Sequence, residues 1–145
     1  RWLEFRRRHP AFRRRRFFEG RSFGLDQLKD ITWLRPDGME MTAADWALDY
    51  ARCVGFVFDG RDLNDVDEHG APLADSTFLV LLNAHYETIA FRLPALDGGY
   101  WHCHMDTTRG WLPYTEAALS PWPPGGQYKL AARSTVLFEW TPARR

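Results

Sequence analysis

Residues 101–106 read Trp101-His102-Cys103-His104-Met105-Asp106, an unbroken alternation of apolar and polar side chains. Successive residues of a β-strand point to opposite faces. The stretch therefore predicts a strand with Trp101, Cys103 and Met105 against a core and His102, His104 and Asp106 on the other face. The same period runs through Ile89, Phe91 and Leu93, which Pro94 closes, and through Val136, Phe138 and Trp140 in a last strand over 135–140. Residues 77–83 are almost wholly apolar, the pattern of a strand buried on both faces or placed centrally. Further short strands are predicted over 31–34, 52–58 and 128–131. Six or seven strands at hairpin spacing, with turn signals at Pro36-Asp37-Gly38 and Asp97-Gly98-Gly99, predict an all-β chain folded as an antiparallel β-sandwich.

One helix precedes the strands. Trp2 and Phe5 can share a helical face, and Arg6, Arg7 and Arg8 crowd a C-terminal turn, where cations suit the helix dipole. Pro10 disfavours helical geometry at His9, so the helix spans residues 1–9. Residues 11–24 read as irregular, anchored by Phe12, Phe17 and Phe18. Thr42 with Asp45 three residues later resembles a capping box and predicts a short helix over 43–50 that carries Trp46. Residues 59–75 form an acidic loop, and 107–127 a loop rich in proline near its end.

The chain has 145 residues, the size of one domain with a core of its own. Hydrophobic residues make up 45% and charged residues 26%, which excludes a disordered tail. The longest apolar run, Phe78–Leu82, is far short of the roughly 20 residues of a membrane span. No apolar core follows the charged N-terminus as a secretory signal requires. The formal net charge is zero, but residues 1–21 hold nine Arg against two Glu, so the remaining residues are acidic. A basic segment can bind nucleic acid; one this short and laced with Phe reads first as a solvated helix end. Cys53 and Cys103, fifty residues apart, fit a reducing cytoplasm and a packing role. The chain begins at Arg1, inside a helix, and is expected to be a piece of something longer.

Chemistry is sparse. His102, His104 and Asp106 on one strand face could hold zinc or iron, yet that face lies opposite the apolar one, and no structural metal is expected there. Asp65, Asp67, His69 and Gly70 match part of a calcium loop, but His69 and Ser76 fall where Asp or Asn and Glu belong. No GxSxG motif, reactive cysteine context or phosphate-cradling glycine pattern occurs. Glycoside hydrolysis needs two carboxylates held across the bond, and the acidic residues here sit mainly in loop stretches. Neither catalytic residue nor cofactor is expected. Of seven Trp, Trp33, Trp101 and Trp140 in strands and Trp46 in a capped helix are assigned to packing. Trp111 and Trp122, in the long loop, are the candidates for stacking on sugar rings.

The residues just read resemble the C-terminal end of bacterial glycogen debranching enzymes, isoamylase-type members of the alpha-amylase superfamily. The resemblance begins at Phe5-Arg6-Arg7-Arg8-His9-Pro10-Ala11-Phe12 and Arg13-Arg14-Arg15-Arg16-Phe17-Phe18-Glu19-Gly20. It continues through 29–38, Glu40-Met41-Thr42, Asp45-Trp46 and 78–85, then Phe91, Leu93-Pro94, Asp106-Thr107 and Ala132-Arg133-Ser134. It implies that residues 1–20 are the end of the last helix of a (β/α)8 catalytic barrel with its connector, and 21–145 a C-terminal β-sandwich. It implies a parent that hydrolyses α-1,6 branch linkages in glycogen or limit dextrin. The catalytic carboxylates of such enzymes lie on earlier barrel strands, so none carries over to this chain. The implied partners are that barrel and, through it, α-glucan, in the cytoplasm, with neither nucleic acid nor membrane.

The rival readings are a free-standing carbohydrate-binding module and a nucleic-acid binder using Arg13–Arg16. Trp2, Phe5, Phe12, Phe17 and Phe18 are many large apolar side chains for so short a segment. If they serve only the barrel, residues 21–145 alone should be more soluble and melt like the whole chain.

Overall fold

The computed structural model describes residues 1–20, 29–49, 51–61, 63–112 and 121–143. Among them the chain is all-β apart from short helical turns. The strands are β1 (Ile31–Leu34), β2 (Cys53–Phe58), β3 (Thr77–Asn83), β4 (Ile89–Arg92), β5 (Gly99–Asp106), β6 (Gly110–Trp111), β7 (Gln127–Leu130) and β8 (Ser134–Pro142). A six-stranded sheet has the order β1-β2-β3-β8-β5-β6, and β4 pairs with β7 in a second, two-stranded sheet. The chain divides into two compact units, Arg1–Thr32 with Val57–Phe78 and Trp33–Phe56 with Leu79–Arg145.

In the second unit, β5 and β8 are antiparallel with Trp101 opposite Trp140 and Cys103 opposite Phe138. A bulge between Cys103 and Met105 shifts the register, so Met105 faces Leu137 and Asp106 faces Val136. The β4–β7 ribbon sets Phe91 opposite Tyr128 and Ile89 opposite Leu130. Its inner side chains close on the larger sheet: the Tyr128 ring meets the Phe138 ring edge-on at 5.0 Å. Leu79, Leu81, Phe91, Leu93, Trp101, Leu130, Val136, Leu137 and Phe138 form the core and are fully buried. This is the sandwich that the period-two pattern predicts. Gly55 packs closely, since a Cβ there would lie 2.8 Å from the Phe91 ring and 2.9 Å from Leu81. Two buried polar side chains of this unit are matched: Trp101 Nε1 donates to the Pro94 carbonyl at 3.0 Å, and the Asn83 amide donates to the carbonyls of Glu87, Leu130 and Ala131.

In the first unit, α1 (Trp2–Arg8) ends at His9, whose extended backbone is the one Pro10 requires. Pro10–Arg13 then forms one turn of 3₁₀ helix. The Phe12 ring packs edge-on against Phe58 at 5.0 Å and Phe78 at 4.9 Å, and Phe5 against Phe78 at 5.7 Å. His9 Nδ1 lies 2.8 Å from Asp75 Oδ1, and the Ala11 amide donates to the other oxygen of that carboxylate at 3.0 Å. Phe5 and Phe12 are thus packed within this unit.

Other departures are local. The helix expected over 43–50 is only α2 (Ala43–Trp46); its capping box forms, with the Asp45 amide donating to Thr42 Oγ1 and the Thr42 amide to the Asp45 carboxylate. The stretch expected as loop over 107–127 contains β6, and the one expected as irregular over 11–24 begins with the 3₁₀ turn.

Candidate functional site

The two tryptophans singled out for sugar contact lie along one edge of β5. Trp111 sits in β6 opposite Met105. Trp122 exchanges both backbone hydrogen bonds with Trp101, at 2.8 and 2.9 Å. The two positions are therefore four β5 residues apart, about 13 Å along the strand. The Trp122 ring is largely spent on packing, 5.3 Å from Tyr128 and 5.7 Å from Phe138. Both tryptophans are half-buried. Residues 113–120, which join them, lie outside the described residues.

Asp106 does not share a face with His102 and His104. The bulge shifts the strand phase after Cys103, and Asp106 turns inward. It is buried and accepts from Tyr128 Oη at 2.5 Å, Thr108 Oγ1 at 2.6 Å and the Thr108 amide at 2.9 Å. Burial opposes its charge, but the hydrogen bonds from Thr108 and Tyr128 overcome that and hold its carboxyl below the ordinary value. Burial, with the hydrogen bond to Asp106 next, pushes the Tyr128 phenol far up. On the opposite face His104 Nε2 lies 2.5 Å from Glu139 Oε2. Burial raises the Cys53 thiol to about 11, and burial with the Asp106 charge raises Cys103 to about 12, so both stay protonated and poorly nucleophilic at neutral pH.

This network has a pH signature. Asp106 has a depressed folded pKa, so its contribution is present above the ordinary carboxylate value and lost as pH falls through the depressed one. Tyr128 and the thiols have raised folded values, so theirs is present below their ordinary pKa values and lost at higher pH. Stability should therefore fall below about pH 4 and again above about pH 9, and Tyr128→Phe should flatten the acid limb. Urea unfolding across pH checks this; Tyr128→Phe is expected to cost about 1–3 kcal/mol at pH 7.

Trp33 and Trp46, which residue type assigns to packing, form an exposed aromatic pair in the second unit. Trp33 in β1 and Trp46 in α2 are 36% and 55% exposed, with ring centroids 5.4 Å apart at 76°. The Phe56 ring stands 5.0 Å from Trp33. Met39 and Leu48 are exposed in the same segment. Polar groups fix the segment: Arg35 pairs with Asp37 at 2.8 Å and Asp45 at 3.5 Å, and the Met39 amide donates to Asp37. The hydrogen bonds from Arg35 and Met39 hold the Asp37 carboxyl below its usual range. Gly38 makes the turn with φ of +81°, which L side chains rarely adopt. Trp33 lies on a four-residue strand at the end of the sheet order, a placement that the sequence does not record.

No group of three or more His, Cys, Asp or Glu among the described residues could hold a metal ion. Among those residues, no helix is long and apolar enough to cross a membrane.

Comparison with known proteins places this arrangement. The family model described as "Isoamylase, C-terminal" matches residues 30–139. The chain is 40% identical over 106 residues to the "Glycogen operon protein GlgX homolog" of Mycobacterium bovis (strain ATCC BAA-935 / AF2122/97), and equally to that of Mycobacterium tuberculosis (strain ATCC 25618 / H37Rv). The aligned stretch takes in 70% of this chain and only 14% of either relative. The matched residues span β1 to β8, from the buried Asp30 to Glu139, and the chain belongs to the isoamylase C-terminal domain family.

Proposed function

We propose that the chain is the non-catalytic C-terminal domain of a glycogen debranching enzyme, and that the complete protein hydrolyses α-1,6-glucosidic branches of glycogen or limit dextrin. The observation that carries this reading is the family match over residues 30–139. The relatives, named for the glycogen operon and about seven times longer than the aligned stretch, support a catalytic barrel in the same chain as the main partner. Residues 1–20 are read as the end of that barrel's last helix with its connector, and 21–145 as the sandwich. Trp2 and Leu3, exposed on α1, are the side chains left for the barrel to cover. The compartment proposed is the cytoplasm, in keeping with two protonated, unbridged thiols.

A domain role also accords with how the buried carboxylates are used. Asp106 is committed to Tyr128 and Thr108, and Asp30 accepts the amides of Glu19, Gly20 and Ile31 at 2.7–2.8 Å. Neither is left over for proton transfer to a glycosidic oxygen. A reducing-sugar assay with the isolated chain on glycogen and pullulan should give no turnover. Turnover abolished by a single acidic substitution in this chain would overturn the reading.

The second reading, a carbohydrate-binding module, is favoured by the exposed Trp33–Trp46 pair rather than by Trp122. If it holds, retention on insoluble glycogen should fall about fivefold or more in Trp33→Ala and Trp46→Ala, and change little in Trp122→Phe. Absence of retention by the unsubstituted chain would exclude it.

A further inference from the structure

The run Arg13–Arg16 has no part in the reading above, and the structure treats its members unequally. Arg13, Arg15 and Arg16 are exposed, whereas the Arg14 side chain is only 8% exposed. Its guanidinium stacks on Phe18, with Cζ 4.4 Å from the ring centroid, and Nη2 lies 3.8 Å from Asp30 Oδ2. That carboxylate already accepts three backbone amides, from Glu19, Gly20 and Ile31. Arg14 Nε and Nη1 are buried and have no hydrogen-bond partner among the described residues. Buried donors on a charged group are almost always satisfied, so two orphans on one guanidinium point to an absent acceptor.

Arg14 is also part of the wall of a cleft. A cleft of about 70 Å³ is lined by Pro10, Arg13, Arg14, Arg15, Leu63, Asp65 and Leu73, all within the first unit. A single water needs only about 10–15 Å³ of such space, so the cleft has room for a small polyatomic ion. Three arginines line it against one acidic residue, Asp65. Pro10 and the leucines supply apolar walls, which strengthen an ion pair formed there. Water could fill the volume but would leave the excess positive charge uncompensated.

We propose that Arg14, with Arg13 and Arg15 at the rim, forms a binding site for a small oxyanion, of which a phosphate group is the chemical type. Guanidinium donors match phosphate oxygens in both charge and spacing. The site lies outside the aromatic surface and the Asp106 network, and it stands whether or not the parent protein is a debranching enzyme.

The test is calorimetric titration of the whole chain with inorganic phosphate, alongside thermal melting in phosphate or in sodium chloride at matched ionic strength. Binding at one site should be saturable and raise Tm by a few degrees beyond chloride, because a ligand bound only to the folded state stabilises it. Arg14→Gln should abolish the response. Arg13→Ala and Arg15→Ala, at exposed positions that leave the fold intact, should each weaken binding about three- to tenfold, and they decide the matter if Arg14→Gln does not fold. A linear, unsaturable effect shared by chloride would overturn the proposal. So would a phosphate response unchanged in the Arg13 and Arg15 variants, or retained in a folded Arg14→Gln chain.

Discussion

Removing residues 1–18 is expected to lower the melting temperature by roughly 10 °C or more and to increase aggregation. Reading the sequence by itself suggests the opposite, a sandwich that melts unchanged once a sticky appendage is gone. The ring contacts decide otherwise. Phe12 packs on Phe58 and Phe78, and Phe5 on Phe78, which is fully buried. The segment also brings His9 to Asp75 and Arg14 to Asp30. Truncating one packed Phe costs about 3–5 kcal/mol, and Phe12, being half-buried, belongs at the low end. Two such rings together with the buried polar contacts are a large part of a total stability of about 5–15 kcal/mol. Circular dichroism melting and light scattering of the whole chain, of 19–145 and of Phe12→Ala measure it. Equal melting temperatures for whole and shortened chains would mean that the ring cluster contributes little and that α1 serves only a neighbouring domain. The exposed apolar residues of the same segment, Trp2, Leu3 and the 94%-exposed Phe17, should have the reverse effect, with polar substitutions there improving solubility at little cost in stability.

Gly60→Ala should be the most damaging single-methyl change in the molecule. Gly60 is buried just after β2, and a Cβ there would lie 1.9 Å from the Ser76 carbonyl oxygen and 2.8 Å from the Asp75 carbonyl carbon. These are main-chain atoms, which cannot swing away as a side chain can. The two segments are tied at this point, since the Asp75 amide donates to the Gly60 carbonyl at 2.5 Å. Next to it Thr77 Oγ1 donates to Asp59, and the Arg61 guanidinium pairs with the same carboxylate at 2.9 Å. Overpacking typically costs about 1–3 kcal/mol, and a backbone clash belongs at or above the upper end. Gly70→Ala is the control: its Cβ would meet nothing within 4 Å, so only the strain of φ +80° remains. Urea denaturation should show Gly60→Ala losing clearly more than Gly70→Ala; equal losses would mean that the 60–76 contact relaxes freely.

What could be read from sequence follows from the range of the interactions involved. The strands at 31–34, 77–83, 89–93 and 101–106 were legible because period-two alternation and continuous apolar runs are local records of which faces are buried. The stop at Pro10 and the capping box at Thr42 were legible for the same reason, as both act within a few residues. The family resemblance rested on motifs that survive as linear text, and the match over 30–139 bears it out.

Only the tertiary structure decided the rest. Strand phase predicts that Asp106 keeps company with His102 and His104, but one bulge, set by pairing with β8, turns it inward to Tyr128. Residue type predicts that Trp33 and Trp46 are core, but burial depends on what lies opposite: Trp33 lies on a short strand at the end of the sheet order and Trp46 on a one-turn helix, and both are exposed. Arg13, Arg14, Arg15 and Arg16 are identical letters in a row; only the placing of Phe18 and Asp30 distinguishes the one whose guanidinium is buried. Periodicity records the face a residue turns, while its solvation and partners are fixed by segments distant in sequence, and those partners are what give a side chain its chemistry.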